Sequence, residues 1–417
     1  MYRDCYAAWM ASQSLSATAA VVDGRAPRMR HAISTTEDSV AARVGMVGAG
    51  QLARMSLAPA TALGIDLHLL AEADSDSAAQ IARRVTIGDH RRPDDLLAFA
   101  KGVDVVTFDH ELVAPEHLEA LAAEGHVLRP APASKRFAQD KRHQRERLGA
   151  LGLPLPAFAT VAAATEVEHF AEANGWPVVV KAARGGYDGR GVWVMDSSAE
   201  VAARWPECTA AGALLVEAFV TIERELAVLV ARRPGGQAAV YLITETVQAD
   251  GICHELLVPA RVTPGRAAEA TELGLRIAEI VDVAGVMAVE LFETTDGLVI
   301  NELACRPHNS GHWTIEGAAT SQFANHLRAV LDWPLGSTAL MADAAVTVNV
   351  LGPPDGVDPR DRLPAALALD GVSVHLYGKA ARPGRKLGHV TVLGDDLADA
   401  LSRARHAAAL LTGEATS

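Results

Sequence analysis

Between residues 44 and 124, short apolar segments of strand length alternate with amphipathic segments of helix length. The sequence predicts strands at 44–47, 67–70 and 103–108, and helices at 51–63, 77–84, 94–101 and 115–124. Such alternation is typical of a parallel sheet in which each helix returns the chain to the start of the next strand. We therefore predict an N-terminal parallel α/β domain over residues 43–133.

After Pro130 and Pro132 the pattern becomes largely β. Beyond a helix at 139–151, strands are predicted at 178–182, 192–195, 214–219, 225–232 and 239–247. A long helix, a hairpin and a further helix follow, at 264–283, 286–304 and 321–331. These elements predict a second domain over residues 134–336 and place the chain in the mixed α/β and α+β class.

The two ends of the chain differ from its centre. Residues 337–417 predict a small β-rich C-terminal domain closed by a helix at 397–411. Residues 1–42 are rich in Ala, Ser and Thr without a clear period, so we expect a disordered extension there.

Charge and cysteine content exclude several classes of function. A net charge of −13 argues against nucleic-acid and membrane-surface partners, which require a basic face. The four cysteines form no close pair, which favours reduced thiols in a cytoplasmic protein over a zinc or disulfide framework. Small-molecule partners remain, including anionic ones.

A glycine-rich turn joins the first predicted strand to the first helix. Gly48, Gly50 and Ala53 fit a G-x-G-x-x-A pattern, and Glu72 follows at the spacing of a ribose-binding acid. The pattern is compatible with a nicotinamide dinucleotide site, with a phosphate or substrate contact, or with a tight strand-to-helix turn. The sequence alone leaves these three interpretations open.

A second glycine-rich segment follows a buried strand that ends at Lys181. Residues 185–191 read GGYDGRG and contain four glycines. A loop of this kind can fold over triphosphate oxygens with its free amides, while Lys181 directs a cation toward the same phosphates. We interpret the segment as a phosphate-covering loop.

The predicted hairpin at 286–304 carries two glutamates. Thr295, Asp296 and Gly297 suit a three-residue turn, in which Thr294 would face Leu298. In that register Glu290 lies opposite Glu302, with the two Cβ atoms roughly 4.5–5.5 Å apart. Two such carboxylates repel each other unless a proton or cation lies between them, and Mg²⁺ is the expected cation.

Polar groups follow this hairpin at the end of its second strand. Arg306 suits a phosphoryl or carboxylate-like anion, and His308 and Asn309 add directional donors. A zinc site at His308 and His312 and a nucleophilic Cys305 are weaker interpretations, since neither has a supporting ligand or base. Nearer the C-terminus, Lys379, Arg382, Arg385 and Lys386 form a basic segment suited to a phosphate monoester.

Together these motifs resemble those of the N5-carboxyaminoimidazole ribonucleotide synthetases, ATP-grasp ligases of purine biosynthesis. The resemblance rests on residues 185–191, 285–290, 301–313 and 382–389, and spans the chain from about residue 44 to beyond residue 389. It implies an ATP-grasp fold and the ATP-dependent carboxylation of 5-aminoimidazole ribonucleotide by bicarbonate, through carboxyphosphate, with release of ADP and phosphate. A homodimer is also implied.

The resemblance implies a role for each matching residue. Mg²⁺, or alternatively Mn²⁺, would bind Glu290 and Glu302; bicarbonate or carboxyphosphate would contact Arg306, His308 and Asn309, with Lys181 also catalytic. The ribonucleotide would contact Asp188, Lys379, Arg385 and Lys386. ATP would contact Lys141, Lys181, Gly186, Tyr187, Asp188, Gly189, Arg190, Gly191, Glu217, Ala218, Phe219, Val220, Glu225, Gln248, Asn301 and Glu302.

Two alternatives retain parts of this pattern. Another ATP-grasp carboxylase or a formate-dependent transformylase would share the glutamates and the glycine loop, but not the basic C-terminal segment in this form. A nicotinamide-dependent oxidoreductase would instead rely on the turn at Gly48 and Gly50.

Overall fold

The computed structural model describes residues 41–186, 190–249 and 251–414. Its first part is a parallel sheet of four strands in the order β3-β2-β1-β4. The elements are β1 (Arg43–Val47), α1 (Gln51–Ala62), β2 (Asp66–Ala71), β3 (Arg84–Ile87), α2 (Pro93–Ala100), β4 (Val105–Phe108) and α3 (Pro115–Ala123). Because the strands are parallel, the loops after β1, β2 and β4 meet at one edge of the sheet.

Two helices lead from this sheet into an antiparallel sheet with the strand order β5-β8-β6-β7. Trp193 and Val201 bury one face of this sheet against its two covering helices. The elements are α4 (Pro132–Gln139), α5 (Lys141–Ala150), β5 (Phe158–Val161), α6 (Ala164–Asn174), β6 (Val178–Ala182), β7 (Val192–Met195), α7 (Ser198–Ala210) and β8 (Leu214–Ala218).

The third sheet is the largest in the described part of the chain, with the order β14-β13-β9-β11-β12-β15-β17-β16 and β10 attached to β9. Its strands are β9 (Arg224–Arg232), β10 (Ala238–Val240), β11 (Thr244–Ala249), β12 (Ile252–Val258), β13 (Gly285–Thr294), β14 (Gly297–Ala304), β15 (Ala344–Leu351), β16 (Val372–Leu376) and β17 (Lys386–Gly394). The C-terminal strands continue this sheet through the pairing of β12 with β15.

Five helices pack around the large sheet: α8 (Pro264–Val281), α9 (Thr314–Gly317), α10 (Gln322–Val330), α11 (Pro359–Leu367) and α12 (Leu397–Thr412). Helix α8 begins where the Thr263 side chain accepts from the backbone N–H of Arg266. It lies close to β9, since a Cβ on Gly274 would approach Val228 Cγ1 to 2.5 Å. Leu327 and Val330 of α10 join the core of the N-terminal sheet, which ties the first and third sheets together.

Two secondary-structure predictions were wrong, and several elements, among them α4, α6, α7 and β12, were not predicted. Residues 77–84 form turns that lead into β3, because the Asp76 carboxylate accepts from the backbone amides of Glu72 and Ala73 and fixes a turn. The strand predicted at 239–247 is divided into β10 and β11, and the buried Tyr241 between them donates to Thr320 O. Helix α4 was missed because Pro132 was interpreted as a break, whereas a proline is tolerated in a first helical turn.

Among the described residues, the helices are too short or too polar to cross a bilayer.

Candidate active site

The β13–β14 hairpin differs from its prediction at the turn. The turn has two residues, Thr295 and Asp296, so that Thr294 pairs with Gly297 and not with Leu298. If this register continued unchanged along the hairpin, Glu290 would not lie opposite Glu302. A β-bulge between β13 and β14 inserts Asn301 and shifts the register by one residue, so that Glu290 does face Glu302.

The bulge places two neighbouring polar side chains at the same site. In a regular strand Asn301 and Glu302 would point to opposite faces of the sheet. Here Asn301 Oδ1 accepts from Lys181 Nζ at 3.3 Å, and Glu302 Oε1 accepts from Lys141 Nζ at 2.9 Å. Both residues line the same cavity. The bulge therefore adds an amide to the pair of carboxylates that the sequence predicted.

Glu290 lies at the base of this cavity with 29% of its side chain accessible. Burial, together with the carboxylates of Glu302 and Glu225, raises the pKa of Glu290 to about 8. His308 Nε2 lies 3.6 Å from its Oε1. A divalent cation would relieve the repulsion between the two facing carboxylates, so this donor set fits Mg²⁺.

Two lysines reach the cavity from different elements. Lys141 begins α5, directly after Asp140, whose carboxylate accepts from two backbone amides of that helix and from Arg184. Lys181 is the penultimate residue of β6, and its Nζ lies 2.7 Å from Glu217 Oε2. Burial lowers the pKa of Lys181, whereas the Glu217 carboxylate raises it. Both ammonium groups are therefore placed where they can meet an anionic ligand beside Glu302.

The cavity has a volume of about 1310 Å³ and is formed by all three sheets. Glu225 and Gln248 belong to its lining, and burial raises the pKa of Glu225. Gly185 and Gly186 line it as well, whereas Arg190 and Gly191 lie just outside its lining. Tyr187, Asp188 and Gly189 lie outside the described residues.

Six of the predicted ATP contacts that the structure describes are absent from the cavity lining: Arg190, Gly191, Glu217, Ala218, Phe219 and Val220. The carboxylate of Glu217 is buried behind Lys181, between that lysine and Arg145. Phe219 is half exposed, just past the end of β8. Any contact of Glu217 with a ligand in the cavity would therefore pass through Lys181.

The turn between β1 and α1 already holds an anionic group. Asp109, which follows β4, accepts from the backbone N–H of Gly50 at 2.6 Å, at the N-terminus of α1. A Cβ on Gly48 would lie 1.8 Å from Asp109 Oδ1, so only glycine fits there. Burial raises the pKa of Asp109 to about 6. An internal carboxylate thus takes the place that a dinucleotide phosphate would need.

The residues after β14 are held by a glutamate that the sequence analysis did not single out. Glu111 accepts from the backbone N–H of Cys305 at 3.0 Å, pairs with Lys135 at 2.5 Å and lies 3.8 Å from Arg306 Nε. That Nε atom is buried without a hydrogen-bond partner among the described atoms. This Nε atom faces the Glu111 carboxylate, while Arg306 as a residue is part of the cavity lining.

His308 and His312 do not form a zinc site in the described part of the chain. His308 Nδ1 contacts the Ser310 hydroxyl, while His312 stacks on His389 and lies beside Tyr377. Burial lowers the pKa of His308 to about 3, so the ring is neutral at pH 7. Cys305 is buried, and burial raises the pKa of its thiol, which opposes a nucleophilic role.

The basic C-terminal segment contributes to the same cavity. Lys379, Arg382, Arg385 and Lys386 all line it. Lys379 Nζ donates to Gln51 Oε1 at 2.5 Å, which joins this segment to the first helix of the N-terminal sheet. The structure therefore brings the predicted bicarbonate residues, and part of the predicted nucleotide and ribonucleotide residues, to one cavity.

Comparison with known proteins gives matches along most of the chain. Family models match residues 41–139 as a ribonucleotide synthetase preATP-grasp domain, 146–323 as an ATP-grasp domain and 345–403 as a phosphoribosylaminoimidazole carboxylase C-terminal domain. The N5-carboxyaminoimidazole ribonucleotide synthase of Mycobacterium tuberculosis is 48% identical over 375 residues, which cover 88% of this chain and 87% of that protein. The chain belongs to the N5-carboxyaminoimidazole ribonucleotide synthase family.

Solved structures of the family extend the comparison to bound ligands. The enzyme from Aspergillus clavatus complexed with ATP is 33% identical, with a TM-score of 0.81, and the match covers 89% of this chain and 98% of that one. The structure of the same enzyme with ADP and 5-aminoimidazole ribonucleotide is 32% identical, with a TM-score of 0.80 and the same coverage. The predicted ATP-grasp fold, family and ATP-dependent ligase activity are thus confirmed.

Proposed function

We propose that this enzyme uses ATP and bicarbonate to carboxylate the exocyclic amine of 5-aminoimidazole ribonucleotide, with Mg²⁺ bound between Glu290 and Glu302. The pairing of these two glutamates across the bulged hairpin carries the proposal. It places two carboxylates beside Lys141 and Lys181, in the cavity that also contains Arg306 and the basic segment.

The ATP end of the site follows from the two lysines. Lys141 and Lys181 would bind the phosphate oxygens, and the loop containing Gly185 and Gly186 would cover them. Glu225 and Gln248 would bind the ribose hydroxyls. When bound, Mg²⁺ would neutralise charge on the transferring phosphoryl group.

Bicarbonate would bind beside the same phosphoryl group. Arg306 would present its guanidinium to it from the cavity lining, and His308, which is neutral, can donate or accept through Nε2. The bicarbonate oxygen attacks the γ-phosphorus, and ADP leaves, so that carboxyphosphate is formed. Lys181 and Arg306 stabilise the negative charge as it spreads over the phosphoryl oxygens.

The ribonucleotide would bind at the basic end of the cavity. Lys379, Arg385 and Lys386 would bind its phosphate, which positions the exocyclic amine toward Arg306. The amine attacks the carboxyl carbon of carboxyphosphate, phosphate leaves, and the amine loses one proton. Asp188 remains a predicted ribonucleotide contact.

Product analysis with labelled bicarbonate tests the proposal. We expect ATP hydrolysis to rise strongly only when 5-aminoimidazole ribonucleotide and bicarbonate are both present, and the label to enter an acid-labile ribonucleotide. Folded protein with Mg²⁺ that shows neither effect would overturn the assignment. Replacing bicarbonate with formate, and the ribonucleotide with another amine, tests the transformylase alternative in the same assay.

Substitution of Glu302 tests the cation site. Glu302→Gln retains the size of the side chain but removes one of the two facing charges. We expect turnover to fall by about 100-fold or more, because a metal ion supplies several kcal/mol of charge stabilisation. Glu293→Gln is the matched control, since Glu293 lies on β13 but pairs with Arg224 and Arg266 outside the cavity. Normal turnover in Glu302→Gln would exclude it as a ligand.

The resemblance also supports two broader proposals, a homodimer and a cytoplasmic location. Light scattering on the purified enzyme distinguishes a monomer from a dimer, and fractionation of cells tests the location.

A further inference from the structure

Arg145 is fully buried, yet all its polar contacts go to residues of the candidate site or of its supporting helix. Its relative exposure is 0%. Nε donates to Glu217 Oε1 at 2.7 Å, Nη2 to the Asn301 backbone oxygen at 2.6 Å and Nη1 to Gln144 Oε1 at 2.5 Å. One guanidinium thus connects α5, β8 and the bulge in β14.

The partners of Arg145 are also the partners of Lys181. Glu217 gives one carboxylate oxygen to Arg145 and the other to Lys181 Nζ, at 2.7 Å. Asn301 gives its backbone oxygen to Arg145 and its side-chain oxygen to Lys181, at 3.3 Å. Both groups that orient the Lys181 ammonium are therefore themselves held by Arg145.

Arg145 does not reach the ligand space. Lys141 and Lys181 line the cavity, but Arg145 and Glu217 do not. Lys141 lies one helical turn before Arg145 on α5, so the two cations project from the same face of that helix. Any effect of Arg145 on a ligand would therefore be transmitted through Glu217 and Lys181.

We propose that Arg145 is a positioning residue that fixes Glu217 and Asn301, and through them directs Lys181 toward the phosphates of ATP. The proposal rests on the ATP site described under Proposed function. It adds a residue that the ligand never touches.

Electrostatics supports the same role. Two cations, Arg145 and Lys181, share the single carboxylate of Glu217, which leaves one positive charge for an anionic ligand to neutralise. Without Arg145, Glu217 and Lys181 would form a neutral pair, and the attraction of Lys181 for phosphate would be weaker. A planar guanidinium with several donors can reach three acceptors at once, which an ammonium group cannot do in this geometry.

The test compares three variants by titration calorimetry with MgATP. Arg145→Met removes the charge and all three hydrogen bonds, and we expect ATP affinity to fall about 10- to 100-fold, as for other residues that orient a ligand-binding group. Arg145→Lys keeps the charge and should recover part of this loss. The matched control is Leu148→Ala, one turn along the same helix and fully buried in the apolar core.

Leu148→Ala should lower thermal stability but leave ATP affinity within about twofold of the parent. A tenfold change in affinity would correspond to about 1.4 kcal/mol of binding free energy. In steady-state assays Arg145→Met should raise the KM for ATP and lower kcat, with the KM for the ribonucleotide unchanged. Unchanged ATP affinity in folded Arg145→Met, or an equal loss in Leu148→Ala, would overturn the proposal.

If Arg145→Met does not fold, Arg145→Lys decides the question, because a wild-type ATP affinity in that variant would show that the fork geometry is not needed. ATP binding is measured without the ribonucleotide. The ATP titration of the variants therefore tests the positioning role alone. The labelled-bicarbonate assay on the parent enzyme tests the carboxylation proposal separately.

Discussion

Asp109 shows how a single buried carboxylate can organise a substrate-binding edge. It anchors the amide of Gly50 and faces the charges of Arg306 and Lys379. Burial nevertheless dominates and raises its pKa to about 6, so the folded protein keeps the neutral carboxyl up to a higher pH than the unfolded chain does. The same carboxylate occupies the helix N-terminus that an oxidoreductase would use for its dinucleotide.

The raised pKa of Asp109 predicts a pH-dependent stability. The contribution of Asp109 to the free energy of unfolding is complete below about pH 4, which is its pKa in the unfolded chain. This contribution is lost as pH rises through about 6, which is its pKa in the folded protein. Asp109→Asn does not titrate, so its stability relative to the parent should rise by about 3 kcal/mol between pH 4 and 6 and stay constant above. Denaturant unfolding at a series of pH values measures this difference.

Asp104→Asn is the control, because its stability relative to the parent should change with pH in the opposite direction. Although Asp104 is partly buried, hydrogen bonds from Arg43 lower its pKa, so its contribution appears as pH rises. A difference between Asp109→Asn and the parent that does not change with pH would contradict the raised pKa of Asp109.

At the scale of elements, the β13–β14 hairpin shows that one extra residue can determine a site. The two-residue turn sets the register near the end of the hairpin. The bulge at Asn301 then shifts the register by one residue, so that Glu290 and Glu302 face each other. The bulge also turns the Asn301 backbone oxygen toward Arg145 and its side chain toward Lys181. Bulges of this kind frequently re-aim side chains next to active sites.

Deleting Asn301 tests the bulge directly. The ladder should become regular and still pair Glu290 with the residue that is Glu302 in the parent, so we expect the fold to persist. ATP affinity should fall about tenfold or more, because Lys181 loses an acceptor and Arg145 is left with an unsatisfied donor. Circular dichroism and ATP titration measure the two effects.

Asn301→Ala separates the contributions of side chain and backbone. It keeps the bulge and the backbone oxygen that accepts from Arg145, and it removes only the contact with Lys181. We expect a smaller loss of ATP affinity than in the deletion. An equal loss in both variants would show that the backbone contact of the bulge does not contribute.

At the scale of the whole molecule, the cavity exists because distant parts of the chain meet. The turn that replaced the helix predicted at 77–84 contacts the segment after β16: Ser77 Oγ donates to Tyr377 O at 2.5 Å and Gln80 Nε2 to Gly378 O at 2.9 Å. These contacts lie beside Lys379, which itself reaches Gln51. The basic end of the cavity therefore depends on the packing of the N-terminal sheet against the C-terminal strands.

Ser77→Ala should weaken this contact selectively. We expect the KM for the ribonucleotide to rise about 2- to 10-fold, since one buried hydrogen bond contributes about 0.5–1.5 kcal/mol. The KM for ATP should stay constant, because the nucleotide end lies on other elements. Thr61→Ala is the control, since that hydroxyl donates only within α1, to Leu57 O. A parallel rise in both KM values would contradict the selective role.

The sequence by itself determined the elements and the motifs whose information is local. The strand–helix alternation, the glycine loop beside Lys181 and the paired glutamates of one hairpin were all readable, because strand period and turn chemistry depend on near neighbours. The confirmed fold class and family follow from them. Residue roles such as those of Lys379 and Arg385 remain predictions.

Only the tertiary structure decided how these motifs are held together. The turn of the hairpin was predicted with one residue too many, and the facing glutamates result from a bulge that local patterns do not specify. Arg145, Asp109 and Glu111 act through partners 59 to 194 residues away in the chain. Buried polar groups must find hydrogen-bond partners wherever the fold supplies them, so their roles are fixed by packing and not by neighbours in sequence.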